Sequence, residues 1–172
     1  MEGTLDTTAE GRFALRFERR LAHPPGEVWH ALTDPKAMRE WFPQEVEADL
    51  RPGGKMRFRH RRGEVYEDLP VIEGEVLEYD PPRLFAYTWG ADMLRWELRP
   101  DGDGCLLVFT DTFGELGKAA RDGAGWHVCL EALVASLDGT RPPPRGRWQQ
   151  VHPGYVERLG PEASTIGPPE VG

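Results

Sequence analysis

The feature that most limits what this chain can fold into is Gly125 to Gly139, GWHVCLEALVASLDG. It is the one stretch where a helical apolar stripe is long, unbroken and stopped at its end. Trp126, Cys129, Leu130, Leu133, Val134 and Leu137 fall on one arc of a helical wheel, the mark of a helix with a single buried face. Gly139 supplies the left-handed stop. From Trp126 to Leu137 such a helix runs about 17 Å, roughly the width of four strands, so one helix can lie across a whole sheet. The opposite arc carries Val128, Ala132, Ala135 and Ser136 beside the polar His127, Glu131 and Asp138. Residues that small let another backbone come close.

The rest of the chain supplies the sheet. Phe13, Leu15 and Phe17 alternate with Arg12, Arg16 and Glu18, so Gly11 to Leu21 reads as a half-buried first strand. Two short helices follow. Pro24 and Pro25 suit a first helical turn ahead of Val28, Trp29 and Leu32, and Asp34-Pro35 repeats the signal ahead of Met38, Trp41 and Phe42. From Glu45 to Thr112 strands alternate with tight turns at Arg51-Pro52-Gly53-Gly54, Asp80-Pro81-Pro82-Arg83, Gly90-Ala91-Asp92 and Asp101-Gly102-Asp103-Gly104. The strands predicted between them are Val71 to Tyr79, Leu84 to Trp89, Leu94 to Arg99 and Cys105 to Thr112. Consecutive short hairpins require an antiparallel meander, because parallel pairs need long crossovers. Met56, Phe58 and His60 face one way, and Lys55, Arg57, Arg59 and Arg61 the other. Glu73 and Glu75 on the next strand can pair with that basic row, which therefore reads as ordinary cross-strand pairing.

Charge and composition exclude several classes. A net charge of −8 argues against a nucleic-acid or anionic-membrane binder, which needs a basic surface. The first residues, MEGTLDTTAEGRF, do not read as a signal peptide, and no apolar run is long enough to insert in a membrane, so a cytoplasmic location is expected. The two cysteines, Cys105 and Cys129, lack metal-ligand spacing and read as reduced, buried thiols. Residues 1–10 read as a flexible N-terminus, 11–140 as the folded domain and 141–172 as a C-terminal extension. In the extension, Trp148, Val151, Tyr155, Val156 and Leu159 sit at near-helical spacing around Pro153-Gly154. They predict a broken helical segment docked near the small-residue arc of the long helix, on its own subunit or across a homodimer, with a disordered end from about Pro161.

Together, a strand, two short helices, an antiparallel meander and one long C-terminal helix resemble the START-like (SRPBCC, Bet v 1-like) superfamily. VWHALTDPKAMREWF, RPGGKMRFRH, GEVLEYDPPRLFAYTW, LRWELRPDGDGCLLVFTDTF and GWHVCLEALVASLDG are similar to its activator-of-heat-shock-protein-90-ATPase homologue branch. The resemblance covers about Phe13 to Gly139, and WQQVHPGYVERLG is similar to an extension often found in this branch. It implies an α+β helix-grip fold, a curved antiparallel sheet wrapped around the long helix, with a cavity between the two. The strand before that helix ends FTDTF, placing Asp111 where many relatives have a histidine.

No HExxH, CxxC, GxGxxG, GxxxxGK or GxSxG pattern is present, so metal hydrolysis, nucleotide binding and serine chemistry have no motif to rest on. No metal or cofactor is expected. Strand alternation gives the candidate lining: Phe58, His60, Val76, Phe85, Tyr87, Trp89, Leu94, Trp96, Leu98, Leu107, Phe109 and Asp111, with Trp126, Leu130 and Leu133 of the helix above them. The same residues equally suit a filled core. His60, Asp111, Tyr87 and the indoles of Trp89 and Trp96 stand apart, because buried polar groups need partners. Three functions fit this pattern. The first is binding of a small hydrophobic or aromatic molecule. The second is a polyketide cyclase or dehydratase using His60 or Asp111 as acid and base. The third is a chaperone-partner or stress-response role.

Overall fold

Alternating side chains and tight turns become strands over most of the chain, because each strand can bury one face while its turns stay wet. A computed structural model describes residues 2–169. The elements are β1 (Thr4–Thr7), β2 (Phe13–Leu21), α1 (Pro25–Thr33), α2 (Pro35–Met38), β3 (Glu45–Ala48), β4 (Lys55–Arg59), β5 (Ile72–Asp80), β6 (Leu84–Trp89), β7 (Asp92–Asp101), β8 (Gly104–Phe113), α3 (Ala119–Asp138) and α4 (Arg147–Leu159). All eight strands form one antiparallel sheet in the order β1-β2-β8-β7-β6-β5-β4-β3. From β3 to β8 each strand pairs with the next in sequence, and β8 closes on β2. A register shift between Val76 and Glu78 interrupts the β5–β6 ladder, as expected where a sheet bends. This is the α+β helix-grip fold.

The two short helices start as their sequences dictate. Pro25 and Pro35 occupy first turns, and the Asp34 carboxylate accepts from the Lys36 N–H at 2.8 Å. Helix α3 begins at Ala119, earlier than the apolar stripe indicates, and ends at Gly139, whose φ of 65° is the left-handed stop. Its buried face is Ala119, Ala120, Gly123, Ala124, Trp126, Leu130, Leu133 and Ala135. The first part of that face is made of small residues, so no apolar stripe announces it.

Aromatic rings from three directions fill the space between sheet and helix. Trp96 stacks on Phe109 with centroids 3.9 Å apart, and Trp126 of α3 meets Phe109 at 4.7 Å. Trp41 and Phe42, which follow α2, close on Trp96 at 5.2 Å and on Phe58 at 5.7 Å. Offset and edge-on rings at these separations attract beyond their area burial.

Both termini differ from the sequence expectation. Thr4–Thr7, inside the stretch read as a flexible N-terminus, form an edge strand whose register sets Thr4 opposite Arg16. The C-terminal extension holds it there: the Gly3 N–H donates to the Tyr155 hydroxyl at 3.0 Å, and Arg158 pairs with Glu2 at 2.9 Å. Helix α4 runs through Pro153 without a break. Proline removes a bond to the carbonyl of Gln149, and both residues are exposed, so water can take that carbonyl. The end expected to be disordered from about Pro161 instead forms a 3-10 turn at Pro161–Ser164 with Ala163 buried, and the Ile166 N–H donates to the Gly117 carbonyl. Of that expected end, residues 170–172 lie outside the described residues.

The extension docks in cis on α3, and its hydrogen bonds and ion pairs fall on Arg121, His127 and Glu131, with Tyr155 against Gly123, residues that adjoin the small-residue arc in sequence. Trp148 Nε1 donates to the Arg121 carbonyl at 3.2 Å, and Arg147 reaches Glu131 at 2.7 Å. The fully buried Tyr155 ring lies where a Cβ on Gly123 would stand 2.8 Å from its Cδ1, so glycine is what admits it. No described helix is long and apolar enough to cross a membrane.

Candidate functional site

The open space lies at the mouth between the β6–β7 turn, the loop after β4, the N-terminal half of α3 and the extension. Two adjoining cavities occupy it, of about 390 and 520 Å³, and both are bordered by Pro43, Tyr66, Trp89, Arg121, Asp122 and Pro169. The first adds Trp126, Cys129 and Trp148, and the second adds Gln44, His60, Leu69, Ile72, Asp92 and Lys118. Trp89 and Trp126 meet edge to face with centroids 5.4 Å apart. The result is an aromatic groove whose polar groups gather at its two ends, a form suited to small organic molecules.

Its polar groups are organised in short chains. Trp89 Nε1 donates to Gln44 Oε1 at 2.8 Å, and Gln44 Nε2 stands 3.1 Å from His60 Nε2. Since that amide nitrogen can only donate, His60 Nε2 accepts and its proton sits on Nδ1. Burial also lowers the His60 pKa, against the pull of Glu64, so the ring is neutral near pH 7. Deeper, Trp126 Nε1 donates to Asp111 Oδ2 at 2.8 Å, whereas the buried Asp111 Oδ1 has no partner among the described residues. Desolvation, reinforced by the charges of Asp92 and Asp122, raises the Asp111 pKa well above the carboxylate range and outweighs the indole bond. Trp96 Nε1 donates to the Tyr87 hydroxyl at 3.2 Å, and burial pushes the Tyr87 pKa up.

At the α3 end, Lys118 Nζ lies 2.5 Å from Asp92 and 3.4 Å from Asp122, which also takes Arg121 at 2.7 Å. Burial raises the Asp92 pKa despite the lysine, so desolvation outweighs that ion pair at the aspartate. Burial also works against the Lys118 charge, but its bond to Asp92 and the surrounding carboxylates prevail and raise its pKa. Oxygens of Asp92, Asp111 and Asp122 come within 4.8 Å of one another. Asp92 and Asp122 face Lys118 and Arg121, while burial favours the protonated form of Asp111. Cys129 borders the first cavity with its thiol pKa pushed up to about 12 by burial, which makes it a poor nucleophile.

Of the residues predicted to line a cavity, Trp89 and Trp126 border the first space, and Trp89 and His60 the second. Phe58, Val76, Phe85, Tyr87, Leu94, Trp96, Leu98, Leu107, Phe109, Asp111, Leu130 and Leu133 border neither and sit fully buried in the core. The reason is Trp41 and Phe42, whose rings fill the space that alternation alone leaves between sheet and helix. His60 lies just past β4 and half-buried, so it stands at the rim rather than inside. Sequence reasoning missed Gln44, Tyr66, Asp92, Lys118, Arg121 and Asp122. Only Gln44 had a signal, since a buried Trp89 indole needs an acceptor.

Comparison with known proteins places this geometry in context. The model of the family described as Activator of Hsp90 ATPase homolog 1-like protein matches residues 22–138. The crystal structure of CalU16 from Micromonospora echinospora is 25% identical, covers 92% of this chain and 97% of its own, and superposes with a TM-score of 0.69. The protein encoded by BPP1335 from Bordetella parapertussis is 30% identical over 84% of this chain and 85% of its own, with a TM-score of 0.70. EF2215 from Enterococcus faecalis, a conserved protein of unknown function, is 21% identical over 91% of this chain and 90% of its own, with a TM-score of 0.73, a likeness of fold. No functionally curated protein matches the chain.

Proposed function

The chain belongs to the Activator of Hsp90 ATPase homolog 1-like family, and from that premise we propose that it is a START-like domain that binds a small hydrophobic or aromatic molecule in the groove between sheet, long helix and extension. The observation that carries this reading is the pair of adjoining cavities walled by Tyr66, Trp89, Trp126 and Trp148. Their size fits a molecule of one to three rings or a short acyl chain. The site is walled in part by the extension, through Trp148, Gln149, Pro168 and Pro169, so a ligand contacts both parts of the chain. Its two cysteines are free thiols, in keeping with function in the cytoplasm.

A cyclase or dehydratase reading draws less support. Asp111 is sealed behind Trp126 and borders neither cavity, while His60 is bonded to Gln44 at the rim. Native mass spectrometry of freshly purified protein tests the binding reading. A retained organic ligand, lost on Trp89→Ala, is the expected result. A ligand-free protein whose tryptophan fluorescence ignores a panel of aromatic and acyl compounds contradicts it.

A further inference from the structure

Charge is distributed unevenly along the groove. At the α3 end the lining ions are matched, Lys118 with Asp92 and Arg121 with Asp122. At the other end, His60 and Glu64 border both the wider cavity and a polar hollow of about 430 Å³. That hollow is rimmed by Arg39, Arg59, Arg61 and Arg62 against only Glu45 and Glu64, on a chain of net charge −8. Arg39 is held by Glu45 at 2.9 Å, but the other pairs there are long: Arg59 stands 3.7 Å from Glu47 and Arg61 3.6 Å from Glu64, and Arg62 makes no ion pair among the described residues. Exposed pairs at such separations contribute little.

Arg61 is the built part of this end. Alternation points it outward with Arg57 and Arg59, yet its Nη2 donates to the carbonyls of Arg39 at 2.6 Å and Phe42 at 3.0 Å. Those bonds fix the guanidinium, while its buried Nε has no acceptor among the described residues. A guanidinium fixed by two backbone carbonyls, its nearest carboxylate 3.6 Å away, offers with the further arginines a preorganised positive site for a planar two-oxygen anion. The neighbouring His60 is neutral, so arginine alone carries the positive charge.

We propose that the groove's ligand is an organic acid. Its carboxylate is held by Arg59, Arg61 and Arg62 beside His60, and its apolar body lies against Tyr66 and Trp89. This rests on the reading of the groove as a ligand site and adds the ligand's charge.

Calorimetric titration at low salt with 2-naphthoate and 4-phenylbutyrate, each beside its neutral primary amide, tests it. The acids are expected to bind at least about tenfold more tightly than the amides, the worth of a charge-assisted bond. Arg59→Gln and Arg62→Gln, both on exposed side chains, should each weaken the acids by about threefold or more and the amides by clearly less, narrowing the acid-to-amide ratio. Trp89→Ala should weaken acids and amides alike. Equal binding of acid and amide, or arginine variants that weaken both equally, overturns the acid assignment and leaves the groove reading standing. Binding of neither acid nor amide to the intact protein overturns both.

Discussion

Burying a carboxylate is costly, and the surroundings of Asp111 favour its protonated form. One oxygen accepts from the Trp126 indole, the other has no donor among the described residues, and two further aspartates stand nearby. Because its folded pKa is raised, the stabilisation from proton uptake is fully present below the ordinary aspartate value and is lost as pH rises through the folded value. Asp111→Asn retains an acceptor for Trp126 and cannot ionise. The variant is therefore expected to gain stability relative to wild type as pH rises across that window, read from urea unfolding at a series of pH values. Asp111→Ala orphans the buried Trp126 N–H and should cost about 1–3 kcal/mol at low pH, a cost that shrinks as pH rises because this variant cannot ionise either. The sequence showed that Asp111 faces inward and that an indole was among its possible partners. Which indole, and that the carboxyl lies behind the pocket rather than in it, depended on where the earlier segment carrying Trp41 and Phe42 came to rest. Strand alternation holds no information about that segment's position.

At the scale of elements, the docking of α4 on α3 joins both chain ends to the long helix. Tyr155 is the pivot: its hydroxyl accepts from the Gly3 N–H, so its own proton goes to His127 Nδ1 at 3.0 Å. His127 then carries its proton on Nε2 and donates to Glu131 at 3.2 Å, which is held in turn by Arg147. Removing the extension after Thr140 should lower the melting temperature by several degrees, and Tyr155→Ala should cost about 3–5 kcal/mol in chemical unfolding. Burial lowers the His127 pKa, assisted by Arg19 and Arg147 against Glu131. A depressed histidine pKa favours the fold at neutral pH, and that contribution fades as pH falls through the ordinary histidine value toward the folded one. Acrylamide quenching of tryptophan should therefore rise below about pH 6.5 as Trp148 loosens, with His127→Gln blunting the change. Unchanged quenching down to pH 5 in the wild type contradicts this account. The apolar stripe revealed α3 and its stop at Gly139, because periodicity and a glycine cap are local signals. The start at Ala119 stayed hidden because Ala119, Ala120 and Ala124 carry no stripe. Gly123 and His127 take Tyr155 by shape and hydrogen bonding, not by apolar character, so no apolar signal marks the contact.

Across the whole molecule the aromatic residues divide into two populations that look alike in the sequence. Phe58, Phe85, Tyr87, Trp96 and Phe109 are the packed interior, Tyr66, Trp89 and Trp148 wall the groove, and the buried Trp126 joins the two, packed on Phe109 and bordering the cavity. Fold and strand order were legible because hairpins and helix periodicity are local, but the partition of the rings is a long-range outcome of Trp41 and Phe42 filling the interior. The six tryptophans make that partition measurable, since each indole N–H gives its own resonance. When isotope-labelled protein is titrated with 2-naphthoate, the indole signals of Trp89, Trp126 and Trp148 should shift saturably, while those of Trp29, Trp41 and Trp96 stay in place. Indole signals unmoved at millimolar probe, or shifts centred on Trp41 and Trp96, would contradict this partition.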